Sequence, residues 1–120
     1  MRSLGIMHIS NPNRICDLIY IKDAVDGLIL SCFRETTVGI EVDLGTGVGT
    51  QIKDLVSLLF DIVDPERKLD YTTGKAQIFL DPLIADIAQT KEFLKWTPQH
   101  SMIEGINETI SWYKALEKKS

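Results

Sequence analysis

Apolar and polar residues recur with two different periods along this chain, and the switches between them outline its elements. Residues 6–10 and 15–21 read as strands, separated by the turn-forming Asn11-Pro12-Asn13. The second run is rich in β-branched and aromatic side chains. From 23 to 34 the period lengthens, and Val25, Leu28, Ile29 and Cys32 recur at helical spacing. Gly39 marks a turn. Ile40, Val42 and Leu44 then alternate with Glu41 and Asp43, the two-residue period of a strand. The loop Gly45-Thr46-Gly47-Val48-Gly49 runs into Thr50, a residue type suited to capping a helix. The helix expected over 51–63 collects Ile52, Leu55, Val56, Leu59 and Val63 on one face, and Asp64-Pro65 ends it.

The second half is less even. Lys68 to Tyr71 has the composition of a short strand, and 72–85 reads as extended or looped. Asp86 is placed to cap a short helix that reaches Lys95 and stops at Leu94-Lys95-Trp96-Thr97-Pro98. Ser101 and Glu104 have the spacing of a capping box for a last helix over 102–117, with Ile103, Ile106, Ile110 and Tyr113 as its inward face. Trp96, Trp112 and Tyr113 read as core anchors of the last two helices rather than as a ligand-stacking set. The pattern predicts a small mixed α/β domain with about four helices and four or five short strands.

Size and charge narrow the function classes. The 120 residues predict one domain over 1–120, with 44% apolar and 25% charged residues, which argues against disorder. The net charge is -4, and the 13 basic residues form no stripe that would neutralise a phosphate backbone, so no nucleic-acid partner is expected. A phosphorylated small ligand needs only one or two well-placed cations and stays compatible. Cys16 and Cys32 sit within apolar patterns and read as buried. They are too few for a disulfide framework, and with His8 and His100 they give no metal-ligand spacing. No apolar run reaches the length of a membrane span, and the first residues lack the pattern of a signal peptide. A cytoplasmic protein is the expectation.

Two short motifs invite chemistry. Gly45-x-Gly47-x-Gly49 lies between a strand and a helix, where backbone amides attract phosphate. Its third glycine comes one residue too early for a dinucleotide fingerprint, and no acidic residue ends a strand about 20 residues on. The reading favoured is a tight strand-to-helix turn. Tyr71-Thr72-Thr73-Gly74-Lys75 has the Tyr-x-x-x-Lys spacing in which a lysine lowers the pKa of a tyrosine on the same helix face. Thr-Thr-Gly is turn material, so a catalytic dyad is not expected here.

Several segments together resemble the C-terminal part of the extended short-chain dehydrogenase/reductases, the NAD(P)-dependent sugar-nucleotide epimerases and dehydratases. They are Arg14-Ile15-Cys16-Asp17-Leu18-Ile19-Tyr20-Ile21-Lys22-Asp23-Ala24-Val25, Asp43-Leu44-Gly45-Thr46-Gly47, Ile84-Ala85-Asp86 through Pro98, and Gly105 through Tyr113. The resemblance spans about residues 8–115. It implies a lobe that faces a nucleotide sugar. It also implies that the cofactor loop, the catalytic Ser/Thr and the Tyr-x-x-x-Lys helix belong to an N-terminal Rossmann domain absent from this chain. No catalytic or cofactor-binding residue is then expected here, and NAD(P) belongs to the parent family. The arginine that grips the sugar nucleotide's diphosphate in the family has Cys16 in its slot. Arg14, two residues away, is the candidate replacement, and Lys75 is the cation nearest the slot of the family's second arginine. Asp17 matches the pattern as a structural residue, and Lys22 stands where the family often has an aspartate cap, passing that role to Asp23. The partners expected are a nucleotide sugar, the missing Rossmann domain, or a second copy of the chain paired along the exposed Ile40-Val42-Leu44 edge. The main alternative is a free-standing, non-catalytic binding or self-associating module.

Overall fold

The computed structural model describes residues 5–71 and 81–119. It is a mixed α/β fold, as the sequence pattern predicts. The chain forms two compact units, Met1–Cys16 with Gly49–Leu83, and Asp17–Val48 with Ile84–Ser120.

In the first unit, β1 (Met7–His8) pairs in parallel with β4 (Leu69–Asp70), with Met7 opposite Leu69. His8 Nδ1 lies 2.9 Å from the Asp70 carboxylate beside this ladder. β2 (Ile15–Asp17) neighbours β3 (Gly49–Gln51), and Leu83 bridges to Cys16. Both strand pairs are shorter than the runs of alternating residues suggested. Helix α2 (Ile52–Val63) follows β3 directly. Thr50 does not cap it, because Thr50 belongs to β3 and the N-cap is Gln51, without a side-chain bond. The orphan amides of the first turn find carbonyls instead: Ile52 N–H donates to Arg14 at 3.0 Å and Lys53 N–H to Pro12 at 2.9 Å. The predicted apolar face of α2 is half-buried from Ile52 to Leu59 and becomes exposed at Val63.

The second unit holds α1 (Ile21–Phe33), a 3-10 turn (Glu35–Thr37), α3 (Ile87–Gln89), a π-helical turn (Thr90–Leu94) and α4 (Met102–Glu117). Asp86 caps α3 through Ala88 N–H, and Ser101 with Glu104 completes the capping box of α4, both as predicted. The π turn has wider bonds than the regular helix expected there. Its Thr90 and Leu94 are fully buried, and Thr90 Oγ1 donates to the Asp43 carbonyl at 2.6 Å. Lys95 ends the turn with φ 55°, in the left-handed region. Trp96 packs inside, 8% exposed.

Helix α1 sits opposite to its apparent amphipathicity. Its buried residues are Asp23 and Gly27, whereas Val25, Leu28, Ile29 and Cys32 face outward, Leu28 being 57% exposed. Gly27 explains the placement: a Cβ there would lie 2.7 Å from Leu44 Cδ2 and 3.2 Å from Trp96 Cε2. The bare backbone of α1 is thus what Leu44 and Trp96 pack against. Cys32 is accordingly exposed and Cys16 half-buried, not the buried pair the pattern suggested. The segment 40–44 forms no strand among the described residues. In α4, Ile106 and Ile110 are half-buried, but Ile103 and Tyr113 are exposed. Trp112 and Tyr113 stack edge-to-face at 5.0 Å near the surface, so they do not anchor a core.

Candidate functional site

Arg14 emerges from the turn that joins β1 to β2. Its N–H donates to the Asn11 carbonyl at 3.1 Å, closing the turn that Asn11 enters with φ 52°. The guanidinium is exposed and makes no ion pair with any described residue. Lys75, the second candidate cation, lies outside the described residues. Tyr71 is described, and its hydroxyl shares a 2.7 Å hydrogen bond with Ser57 Oγ of α2.

The glycine-rich turn is organised around one carboxylate. Asp17 accepts the N–H of Thr46 at 2.9 Å, the Thr46 hydroxyl at 2.5 Å, the N–H of Gly47 at 2.8 Å and the N–H of Ala85 at 3.2 Å. Burial alone would raise the pKa of Asp17, but these four donors outweigh it and hold the carboxyl below its ordinary value. Gly45 is enclosed by the same arrangement: a Cβ there would lie 2.4 Å from Ala85 Cβ and 2.7 Å from Asp17 Oδ2. Gly47 has φ +75°, a conformation that L side chains resist.

This geometry decides what the loop does. The amides of Thr46 and Gly47, which a dinucleotide diphosphate would need, already serve Asp17. The first amides of α2 serve Arg14 and Pro12. The loop is a tight turn whose own amides are taken up internally, with Val48 N–H also accepted by the Thr46 hydroxyl at 3.1 Å. Among the described residues, no group of three His, Cys, Asp or Glu side chains could hold a metal ion.

A second polar cluster joins the starts of α1 and α4. Asp23, fully buried, accepts His100 Nδ1 at 2.7 Å and His100 N–H at 2.9 Å. It therefore pins the 96–101 connection and does not cap α1, whose N-cap is Tyr20. Burial opposes ionisation of Asp23, but the hydrogen bonds from His100 and Gln99 and the charge of His100 lower its pKa. On the far side of the ring, His100 Nε2 is 3.9 Å from Glu108 Oε1. Glu108 Oε2 takes the Tyr20 hydroxyl at 2.9 Å and Lys22 Nζ at 2.5 Å. The Tyr20 ring lies edge-on to His100 at 4.9 Å, and Gly105 lets α4 come close to it, since a Cβ there would lie 3.1 Å from Tyr20. The sequence carried no signal for the Asp23–His100 pair, whose members lie 77 positions apart. Glu108, one helical turn past the Glu104 of the capping box, was equally silent.

The fold and these motifs define an α/β lobe built around a carboxylate-stapled turn. No protein-family model matches the chain. It is 31% identical over 101 residues to a UDP-glucuronate 4-epimerase of Thermodesulfobacterium geofontis, a match covering 82% of this chain and 30% of that protein. The crystal structure of the UDP-glucose 4-epimerase of Thermotoga maritima superposes with a TM-score of 0.78 at 25% identity, over 92% of this chain and 35% of that one. A GDP-6-OMe-4-keto-L-xylo-heptose reductase from C. jejuni shares the fold, with a TM-score of 0.80 at 21% identity, over 92% of this chain and 34% of that one. The chain spans about a third of the length of the relatives it matches. It belongs to the extended short-chain dehydrogenase/reductases, the NAD-dependent epimerase/dehydratase family, and corresponds to their C-terminal part.

Proposed function

We propose that this chain is the substrate-side lobe of an NAD(P)-dependent sugar-nucleotide epimerase, dehydratase or reductase, and that cofactor binding and catalysis reside in a separate Rossmann domain. The observation that carries this reading is the Asp17 staple. The chain's glycine-rich turn uses its amides to fold the lobe, which leaves a dinucleotide diphosphate no cradle there. The names of the relatives, all acting on nucleotide sugars, supply the substrate class. Arg14, which makes no ion pair among the described residues, then offers its guanidinium to the sugar nucleotide's diphosphate, and Lys75 supplies a second cation.

Calorimetry of the purified chain tests the division of labour. Titration with NAD+ or NADH should give no binding heat. Binding of a UDP-sugar should weaken several-fold in Arg14→Ala, which loses a charge-assisted contact. Saturable NAD(H) binding would overturn the reading.

The alternative, a self-associating module, is favoured by the outward apolar face of α1, where Val25, Leu28 and Ile29 are exposed. A Rossmann domain or a second copy of the chain would cover the same surface. Sedimentation at high concentration separates the two readings: a clean monomer counts against the module.

A further inference from the structure

The Asp23–His100–Glu108 cluster does more than fix a loop. We propose that His100 is a proton-controlled clasp that ties the first two turns of α4 to the start of α1. The carboxylate of Asp23 is 1% exposed and offers only acceptors. His100 Nδ1, at 2.7 Å, therefore carries a hydrogen in either charge state of the ring. The proton gained and lost is the one on Nε2, and Nε2 faces Glu108 Oε1 at 3.9 Å. Protonation thus creates a cation between two carboxylates on different elements, one at the start of α1 and one on α4.

The other charged groups of the cluster support this assignment. On the α1 side they are Lys22 and the Tyr20 hydroxyl, both bonded to Glu108 Oε2. On α4 they are Glu108 and Glu104, the latter held by Ser101 in the capping box. The hydrogen bond that His100 donates to Asp23 raises the pKa of His100, burial opposes it, and the charges of Asp23, Glu108 and Glu104 add to the rise. The folded-state value therefore lies above the ordinary 6.5. A group raised in this way stabilises the fold fully below the unfolded value, and the contribution is lost as pH climbs through the folded value. When His100 becomes neutral, Asp23 keeps its hold on Nδ1, and Lys22 and Tyr20 keep Glu108. Only the His100–Glu108 attraction lapses. The clasp loosens α4 without releasing it.

The test is native-state hydrogen exchange of the full chain between pH 6 and 9, corrected for intrinsic exchange, with NMR titration of the imidazole. Protection of the amides from Gly105 to Ile110 should fall several-fold across the range as the His100–Glu108 attraction lapses. His100→Asn can still donate to Asp23 but cannot titrate, so its protection should not change with pH. Glu108→Gln should also flatten the profile and serves if His100→Asn does not fold. An imidazole titrating at or below 6.5, a flat wild-type profile, or an unchanged fall in a folded variant would overturn the clasp.

Discussion

Asp17 holds Thr46 twice, accepting its backbone N–H at 2.9 Å and its hydroxyl at 2.5 Å, across 29 positions of sequence. With Gly47 and Ala85 as further donors, one carboxylate fastens the glycine turn to the segment that leads into α3. Asp17→Ala should destabilise the chain by about 2–3 kcal/mol, because it leaves partly buried amides without acceptors. Urea unfolding at pH 7 checks this. The pH sign is set by the lowered pKa: the staple is fully present above 3.8 and is lost as pH falls through the folded value. Wild type should therefore lose stability in acid more steeply than Asp17→Ala.

Gly45 should tolerate no side chain. Its hypothetical Cβ would lie 2.4 Å from Ala85 and 2.7 Å from Asp17, and neither neighbour is the tip of a long flexible side chain. Gly45→Ala should cost at least about 1–3 kcal/mol, the range of an overpacked core site. Thermal melts read by circular dichroism would show it, and a melting temperature within a degree of wild type would contradict this packing.

Lys95 presents the opposite case. It ends the π turn with φ 55° and its side chain is exposed, so glycine would relieve strain without losing a described contact. Lys95→Gly should stabilise the chain by about 0.5–1 kcal/mol, since a left-handed residue costs any L side chain about that or more. Urea midpoints of the two proteins decide the sign.

The outward face of α1 predicts behaviour in solution. Replacing Leu28 or Ile29 with glutamate should lower any self-association measured by sedimentation while leaving the melting temperature within a few degrees, because both residues are more than half exposed. A collapse of the fold would mean that this face is internal.

The caps were the legible part of the fold. Asp86, Ser101 and Glu104 act through amides two or three residues away, so their chemistry is written locally, and α4 runs over the expected residues. The failures share a long-range cause. Thr50 lost its capping role because Pro12 and Arg14, far upstream in sequence, supply the carbonyls for α2. The apolar stripe of α1 misled because Gly27, not the stripe, receives Leu44 and Trp96. Of the two candidate cations, Arg14 lies on the surface, and Lys75 falls outside the described residues. Asp17 was read as structural from its motif, but its four donors come from two distant segments that no local pattern links.

The turn from Thr90 to Leu94 also governs where the last helix points. A turn closed by five-residue bonds holds one residue more than an α turn. Rewinding the same residues as ordinary helix, with none removed, would rotate the downstream chain by about 100°. Leu94 and Trp96 would leave their places, and His100 would swing away from Asp23. The phasing of the whole C-terminal end thus hangs on a single surplus position.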